Sequence, residues 1–492
     1  MRSSGTSTPG LGASASRGAA TTMAGQLLRI GLQLASIFVL ARLLTPSDYG
    51  LLAMVTAVIG LGEVFRDFGL SSAAIQAKSI TRQQKDNLFW INTGVGLLLA
   101  AVLFLAAGGV AALYGDPRVL AVAQALSLTF LLNGLSTQFR ADINRSMHFA
   151  RLAIVDIGAL LVGFVVGVAM ALMGYGYWSL VGMQLSQGLV GLILSVSFAR
   201  WIPRGIHRDA PMKAFLNFGV GLVGSQILGY AAKNIHTVLI GASLGAVSLG
   251  LYNRAFQLLT FPLSQLQAPA SQVALPVLSK LHDDRQRYDE FLLRGQTIML
   301  HVVAIILSIS TAQALPLFFV ALGPQWVEAA PLFQILAVAG FATMVNYACY
   351  WVFLSKGLTG SFFRFSLFSR PLLIVIILIG ATGGLYGIAI AYSAGSLLMW
   401  PLTLLWLHRV SDAPTRSMFG NGLRIIVAYS IATAASFGVA SLLPTGSYLL
   451  QIVVGTLTVF ASVAAVALIW PRFRRDVKAV MDTARFFRRR KE

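Results

Sequence analysis

The sequence predicts an all-α integral membrane protein with about fourteen transmembrane helices, on three observations. The composition is 57% apolar and only 11% charged over 492 residues, whereas a soluble domain carries about 25% charged residues. Each bilayer crossing needs about 20 apolar residues, so a chain of this length holds roughly fourteen crossings with short connections. Basic residues fall almost entirely in alternate connections. Such a chain leaves no room for a soluble catalytic domain.

The predicted elements follow one another with short breaks. Residues 1–18 are rich in Ser, Gly and Ala without an apolar core, which indicates a disordered cytoplasmic tail rather than a cleaved signal. An N-terminal lobe, residues 19–200, holds six predicted helices at 20–41, 49–70, 88–112, 119–139, 152–173 and 178–199. A C-terminal lobe, residues 201–410, holds six more at 213–237, 245–266, 294–320, 327–354, 362–382 and 385–407. Two additional helices at 424–443 and 448–470 occupy residues 411–470.

The basic residues test the helix count, because connections on the cytoplasmic side should hold nearly all of them. The net charge is +20, which in a soluble chain would suggest a nucleic-acid partner. Here the surplus follows topology, since odd-numbered connections hold little beyond Arg42 and Arg118. The even-numbered connections contain Lys78, Arg82, Lys85; Arg140, Arg145, Arg151; Arg200, Arg204, Arg208, Lys213; Lys280, Arg285, Arg287, Arg294; Lys356, Arg364, Arg370; Arg409, Arg416 and Arg424. We therefore predict that both termini are cytoplasmic and that no nucleic acid is bound.

Residues 471–492 form a strongly basic C-terminal tail. Its apolar residues, among them Phe473, Val477 and Val480, recur at helical spacing. This pattern is typical of an amphipathic helix that lies on anionic lipid. The alternative is a solvated anchor that only fixes the topology.

An internal repeat relates the two predicted lobes. An offset of 200 residues aligns the first helix pair with the seventh and eighth helices and brings the basic loops near residues 78–85 and 280–287 into register. Because each unit has six crossings, both units enter the membrane from the same side, and transporters of this kind bind substrate between parallel halves. The alternative is a duplicated architecture without a transport site.

The first helix carries one polar face, and the seventh helix repeats it. These faces consist of Gln26, Arg29, Gln33 and Ser36, and of Gln226, Tyr230, Lys233 and Thr237. An unpaired charge facing lipid is expensive, so both stripes should face a wet interior, and we predict a cationic cleft between the lobes. The alternative is that Arg29 and Lys233 extend separately to the two membrane surfaces.

Other intramembrane charges are further candidates. Arg66 and Asp67 lie three and four residues after Glu63, a spacing that favours a local ion pair. Alternatively, one carboxylate is an ion-coupling site and Arg66 contacts a phosphate. Arg254 has no carboxylate within four residues and is a better anion ligand. Asp156, one turn into the fifth helix, is either a coupling site or an interfacial cap.

Signals for enzymatic chemistry are absent from the sequence. It contains no GxxxxGK[ST] loop and no HExxH motif, its six His residues are scattered, and Cys349 is its single cysteine. We therefore predict a non-enzymatic protein without a cofactor or a metal site. Tyr347, Tyr350 and Trp351 lie deep in a predicted helix, where they either stack on sugar rings or pack between helices.

Several stretches resemble the polysaccharide transport family of Wzx-like flippases, in the multidrug/oligosaccharidyl-lipid/polysaccharide flippase superfamily. They are the runs 41–51 (ARLLTPSDYGL), 68–76 (FGLSSAAIQ), 89–92 (FWIN) and 251–256 (LYNRAF). The resemblance covers roughly residues 20–470 and implies two six-helix lobes plus two extra helices around a cationic cavity. Of the candidate residues, only Arg254 also lies in a family-like stretch.

The resemblance implies export of undecaprenyl-pyrophosphate-linked oligosaccharide repeat units across the bacterial inner membrane, for exopolysaccharide or lipopolysaccharide synthesis. It also implies a polysaccharide polymerase and a co-polymerase as protein partners. A flippase for a lipid-linked peptidoglycan precursor is an alternative, because its cavity would also be cationic. An organic-cation antiporter should instead line its cavity with carboxylates, and a membrane-bound polymerase or ligase should carry a large external catalytic loop.

Overall fold

A computed structural model describes residues 11–67, 80–199, 201–209, 211–444 and 446–489. Throughout these ranges the regular secondary structure is helical, without strands. The first six helices are α1 (Leu11–Leu43), α2 (Pro46–Asp67), α3 (Arg82–Tyr114), α4 (Arg118–Arg145), α5 (Phe149–Leu172) and α6 (Trp178–Ala199). The helical segment Lys213–Lys280 follows, and Gly245, with φ 77° and ψ −176°, divides it into α7 (213–244) and α8 (246–280).

The remaining helices complete the chain. They are α9 (Arg285–Ala312), the short α10 (Ala314–Leu322), α11 (Ala329–Ser355), α12 (Thr359–Gly380), α13 (Gly384–Val410), α14 (Thr415–Ser441), α15 (Tyr448–Ile469) and α16 (Pro471–Arg489). Single 3₁₀ turns at Pro324–Trp326 and Ala381–Gly383 precede α11 and α13.

The described helices contain the predicted fourteen crossings. Twelve stretches are long and apolar enough to span a membrane, and two of them, Gly229–Lys280 and Thr359–Val410, have 52 residues each. A helix of that length would extend about 78 Å, more than twice the roughly 30 Å hydrocarbon core. Each long stretch divides at a glycine-containing turn into two helices, so the described part of the chain has fourteen spans. The predicted all-α membrane fold is therefore confirmed.

The chain forms two compact units. The first contains residues 1–234 and 241–247, and the second contains residues 235–240 and 248–492. The division falls inside the Lys213–Lys280 segment, whereas the sequence prediction placed the lobe boundary at residue 200. The order of helices repeats after about 200 residues, with α1–α6 followed by α7–α9 and α11–α13, in agreement with the predicted pair of six-helix groups and two further helices.

Local sequence signals set the ends of α3. The Thr81 hydroxyl accepts from the Gln84 backbone N–H at 3.2 Å, and the Gln84 side chain accepts from the Thr81 N–H at 2.9 Å. This reciprocal capping box satisfies two N–H groups that the first helical turn leaves unpaired. Gly115 ends the helix with φ 64°, a left-handed conformation that glycine adopts without a Cβ penalty.

Two predicted segments differ from the structure. Residues 11–18, predicted to belong to a disordered tail, are the first turns of α1, where four of the eight residues 13–20 are alanine, the strongest helix former. The predicted helix 294–320 is replaced by α9 and α10, which meet at Gln313. The Gln313 side chain is fully buried and donates to the Ser436 hydroxyl at 2.9 Å, so a polar residue within an apolar run ends the longer helix.

The connection between α6 and α7 is bound to α3. The Asn87 amide donates to the His207 carbonyl at 2.7 Å and accepts from the His207 N–H at 2.8 Å. The Trp90 indole donates to the Arg204 carbonyl at 2.7 Å. The His207 imidazole lies 3.4 Å from the buried Asp86 carboxylate. These contacts hold the connection against the first unit.

The C-terminal helix α16 packs on α9 and α14. Phe473 is fully buried, its ring stacked on His301 with centroids 5.4 Å apart and edge-on to Tyr429 at 5.9 Å. Arg424 donates to the Asp476 carboxylate at 2.6 Å. An apolar anchor and an ion pair therefore attach the start of the basic tail to the second unit.

We expect the Asp476→Lys substitution to lower stability by about 1–3 kcal/mol, because it removes a partly buried pair and places two cations together. The exposed Asp482→Lys variant makes the same charge change and should have little effect. Thermal unfolding of both purified variants measures the difference. An equal loss in both would show that the ion pair contributes nothing specific.

A smaller pH effect is expected at Asp412, in the turn between α13 and α14. A hydrogen bond from the Lys356 ammonium holds the pKa of Asp412 below its usual range. The pair therefore stabilises the protein above about pH 4 and loses this contribution as acid protonates Asp412. Half of the Asp412 side chain is exposed, so we expect less than about 1 kcal/mol. The stability difference between wild type and Asp412→Asn should shrink as the pH falls from 7 to 3, and a constant difference would contradict this.

Candidate functional site

Three of the intramembrane charges form an arginine–aspartate cluster in the first unit. Arg140 of α4 donates to Asp156 of α5 at 2.7 Å, and Arg29 of α1 lies 3.7 Å from the other oxygen of the same carboxylate. The Arg29 side chain is 44% exposed and Asp156 is 30% exposed. Two guanidinium groups thus share one carboxylate, which leaves the cluster with a net positive charge.

A second group, the glutamate–arginine cluster, joins α2 to α4. Arg66 donates to Glu63 at 2.5 Å and to the Thr137 hydroxyl at 2.6 Å, and Asn133 donates to the other Glu63 oxygen at 2.8 Å. The local ion pair, one of the two alternatives from the sequence, is present. Both oxygens of the Glu63 carboxylate accept a hydrogen bond, and the Glu63–Arg66 pair carries no net charge. Asp67 lies outside the described side chains.

Both clusters lie at the same end of the first unit. Arg66 is next to the last residue of α2, Arg140 is five residues before the end of α4, and Asp156 is in the second turn of α5. This end also carries further basic residues, since Arg145 is the last residue of α4 and Arg151 lies in the first turn of α5. A ligand would therefore approach the candidate cations Arg29 and Arg66 from the basic end of the helices.

The polar face of α7 contacts α2, in the same unit, at Tyr230. The Tyr230 hydroxyl donates to the Ala57 carbonyl at 2.8 Å and lies directly against Gly60. Lys233, one turn further on, is exposed, and among the described residues it forms no ion pair. Gln226 lies outside the described side chains.

Arg29 and Lys233 lie at comparable depths along their own helices. At 1.5 Å per residue, Arg29 is about 21 Å from Leu43, and Lys233 is about 18 Å from Gly245. Gln33 is half-buried and Gln26 is exposed on the same helix as Arg29. Whether these residues share one substrate site stays a prediction.

Arg254 has a different environment inside the second unit. It is 3% exposed, donates to Gln257 at 2.8 Å, and its guanidinium lies 5.3 Å from the centre of the Trp326 ring. A desolvated cation over an aromatic face is stabilised by about 2 kcal/mol. Arg254 is thus held by neighbours of its own unit, and its role as an anion ligand stays a prediction.

Sequence reasoning missed several partners of these charges. Arg140 was assigned to topology alone, although a short turn between antiparallel helices brings it next to Asp156, 16 residues away. The sequence does contain a sign of two further partners. Asn133 and Thr137 lie four residues apart on α4 and form one polar face in an apolar helix. Trp326 is 72 residues from Arg254, and no motif or spacing in the sequence relates the two residues.

The chemistry available at these positions is anion binding. Guanidinium and ammonium groups prefer phosphate and carboxylate partners. Within the described ranges, no group of three His, Cys, Asp or Glu side chains is placed to hold a metal ion.

The fold defines the class of protein. The lipid II flippase MurJ, in an inward closed conformation, has the same fold, with a TM-score of 0.69 and 13% identity over 90% of this chain and 97% of that one. An inward-facing multidrug resistance MATE transporter of the MOP superfamily matches with a TM-score of 0.59 and 16% identity over 81% of this chain and 95% of that one. The chain thus has the helical fold of multi-pass flippases and transporters.

The family follows from sequence. The chain belongs to the family described as polysaccharide biosynthesis protein, which matches residues 39–331, and the resemblance drawn from its motifs is confirmed. It is 27% identical to the lipopolysaccharide biosynthesis protein WzxC of Escherichia coli, over 78% of either chain. It is 26% identical to the teichuronic acid biosynthesis protein TuaB of Bacillus subtilis, over 71% of this chain and 69% of that one. The protein is therefore a multi-pass bacterial membrane protein of the flippase type that acts in polysaccharide biosynthesis.

Proposed function

We propose that the protein flips undecaprenyl-pyrophosphate-linked oligosaccharide repeat units from the cytoplasmic to the periplasmic leaflet of the inner membrane, without enzymatic chemistry. The observation that carries this proposal is the arginine–aspartate cluster, in which Arg29 and Arg140 share one carboxylate within a span region. Its surplus positive charge suits a pyrophosphate, which needs cationic partners when it leaves water. The WzxC and TuaB relatives support a polysaccharide substrate.

In this proposal, the carboxylates of both clusters pair with the cations until the substrate binds. Asp156 and Glu63 neutralise Arg29, Arg140 and Arg66 while substrate is absent. An arriving pyrophosphate replaces a carboxylate at one or more guanidinium groups, so the cations are never left unpaired in a low-dielectric region. A displaced carboxylate can then take up a proton or sodium ion, which is the coupling role predicted for Glu63, Asp67 and Asp156.

The remaining candidate residues bind other parts of the substrate as it crosses the membrane. Gln26, Gln33, Gln226 and Tyr230 offer hydrogen bonds to sugar hydroxyls, and Lys233 and Arg254 offer further positive charge. Access alternates between the two sides, and the cationic cavity predicted from the sequence receives the pyrophosphate. Outward movement of a negative charge against a cytoplasm-negative potential releases about 2.3 kcal/mol per charge per 100 mV.

The charge pattern also supports an orientation and partners. The positive-inside rule supports a cytoplasmic location for both termini, where the basic tail after Phe473 meets anionic lipid. A polysaccharide polymerase and a co-polymerase are the protein partners that such a flippase would supply with repeat units.

A lipid-linked peptidoglycan precursor is the second candidate substrate, and the fold shared with the lipid II flippase favours it. An organic-cation antiporter is disfavoured, because the exposed candidates Arg29 and Lys233 are both cations.

Deletion of the gene in its native host tests the proposal. We expect undecaprenyl-pyrophosphate-linked oligosaccharide to accumulate in the cytoplasmic leaflet while surface polymer is lost, with both effects reversed by a plasmid copy. Lipid II measured in the same extracts is the control. Accumulation of lipid II with normal surface polymer would establish the alternative substrate and reject the proposed one.

A further inference from the structure

An open cavity of about 330 Å³ lies in the second unit, between α11, α12 and α13. Its volume is within the range of about 300–1,000 Å³ that is usual for small-molecule sites. It is separate from the residues assigned above to the transport route. The residues that matter for its chemistry are Asn346, Tyr347, Tyr350, Phe362, Ser366 and Arg370.

Arg370 is the only charged residue among the described residues that line this cavity. The sequence prediction counted Arg370 with the basic connection before α12, but in the structure it lies 11 residues after Thr359, the start of α12, and so about 17 Å from that helix end at 1.5 Å per residue. This is near the middle of a hydrocarbon core of about 30 Å. A cation at this depth is expensive and marks a functional site by default. The cavity therefore favours an anionic ligand.

One wall of the cavity is aromatic. The Tyr347 and Tyr350 rings lie 5.7 Å apart at 32°, and Tyr350 meets Phe362 at 5.7 Å and 62°. Aromatic faces carry negative electrostatic potential, and the C–H face of a pyranose ring is apolar and weakly positive. Flat aromatic faces therefore suit a sugar ring, whereas a bare phosphate gains nothing from them.

A polar atom on the wall lacks a partner. The Asn346 side-chain oxygen is buried and accepts no hydrogen bond from any described residue. Buried polar atoms nearly always have a partner, and a sugar hydroxyl can donate to this oxygen. The buried Ser366 lines the same cavity and adds a hydroxyl.

We propose that this cavity, the Arg370 cavity, binds a sugar residue that carries a carboxylate. The ring stacks on Tyr347 and Tyr350, a hydroxyl donates to Asn346, and the guanidinium of Arg370 pairs with the sugar carboxylate. The inference rests on the proposed function, because a transported glycan supplies the sugar. It adds a preference for acidic repeat units that the pyrophosphate-binding cations do not explain.

Binding to the purified full-length protein in lipid nanodiscs tests the inference. The probes are tetragalacturonate, neutral maltotetraose and inorganic pyrophosphate, each measured by calorimetry. We expect wild type to bind tetragalacturonate at least about tenfold more tightly than maltotetraose. Arg370→Gln should lose this preference, and Arg370→Lys, which keeps the charge without the planar fork, should retain part of it. Tyr350→Ala should weaken both oligosaccharides.

Arg364→Gln is the matched control, since Arg364 is an exposed arginine on the same helix that does not line the cavity. Its affinities should equal those of wild type. Equal affinity for the acidic and neutral probes, or an unchanged preference in Arg370→Gln, would overturn the inference. Displacement of tetragalacturonate by equimolar pyrophosphate would also overturn it, because the cavity would then recognise phosphate. The assay needs no transport, so a failed deletion experiment with Arg370-dependent binding would reject the proposed function alone.

Discussion

Replacement of Gly50 by alanine should lower the stability of the protein by about 2–3 kcal/mol, a cost typical of an overpacked core. A Cβ atom at Gly50 in α2 would lie 1.7 Å from the backbone oxygen of Ala246 and 2.5 Å from its carbonyl carbon. Backbone atoms cannot move aside as a flexible side chain can. Ala246 also directly follows Gly245, whose positive φ fixes the start of α8, so the strain falls on the turn that separates two spans.

Two matched controls isolate the steric effect. Gly94 and Gly109 lie in α3 with nothing within 4 Å of an added Cβ. Alanine at either position should be neutral or stabilising by up to about 1 kcal/mol, because alanine is the better helix former. Thermal unfolding in one detergent compares the three variants. Similar unfolding temperatures for Gly50→Ala and Gly94→Ala would show that α2 and Ala246 do not approach this closely.

Reversal of the charge at Asp156 should abolish export and lower stability. Asp156→Arg places a third cation beside Arg29 and Arg140, which already share its carboxylate. Because all three side chains are partly exposed, we expect a stability loss of about 1–3 kcal/mol rather than that of a fully buried pair. Surface polymer in a complemented deletion strain reports export, and the unfolding temperature of the purified variant reports stability.

A charge swap separates a specific pair from a general charge effect. The double variant Arg29→Asp with Asp156→Arg restores one anion with two cations and an ion pair between positions 29 and 156, but it keeps two cations in contact at positions 140 and 156. It should therefore recover only part of the stability that Asp156→Arg loses. Export should stay low if Arg29 binds the pyrophosphate. Asp209→Arg changes an exposed residue near the same end and is the control. A double variant as unstable as Asp156→Arg would contradict the observed cluster.

The fold could be predicted from sequence because hydropathy and positive charge are local properties. Each span is recognised by its own residues, and the alternating basic loops correct the count. The prediction failed at two places for different reasons. Residues 11–18 lack an apolar core, yet the alanine content of this region favours a helix and they extend α1. At Gln313 a tertiary contact decides, because a buried hydrogen bond divides a run that hydropathy alone would leave continuous.

The candidate site was predictable only within single helices. The Glu63–Arg66 pair follows from a spacing of three residues, which places both side chains on one helical face. Arg29 and Arg140 share Asp156 because three helices pack together. No residue spacing along the sequence indicates that packing. The environment of Arg254 was missed for the same reason, since Trp326 lies beyond two intervening helices in the chain.

The division within the Lys213–Lys280 segment decides how the gene can be split. Residues 213–234 group with the first unit, and the preceding connection is bound to α3 through Asn87 and Trp90. Two separately translated fragments that end and restart near residue 205 would take α7 away from the helices it packs on. Fragments divided after Val247 keep residues 213–234 with the first unit and residues 248–280 with the second, so reassembly of an active protein from two coexpressed pieces should succeed at this later junction and fail at the earlier one.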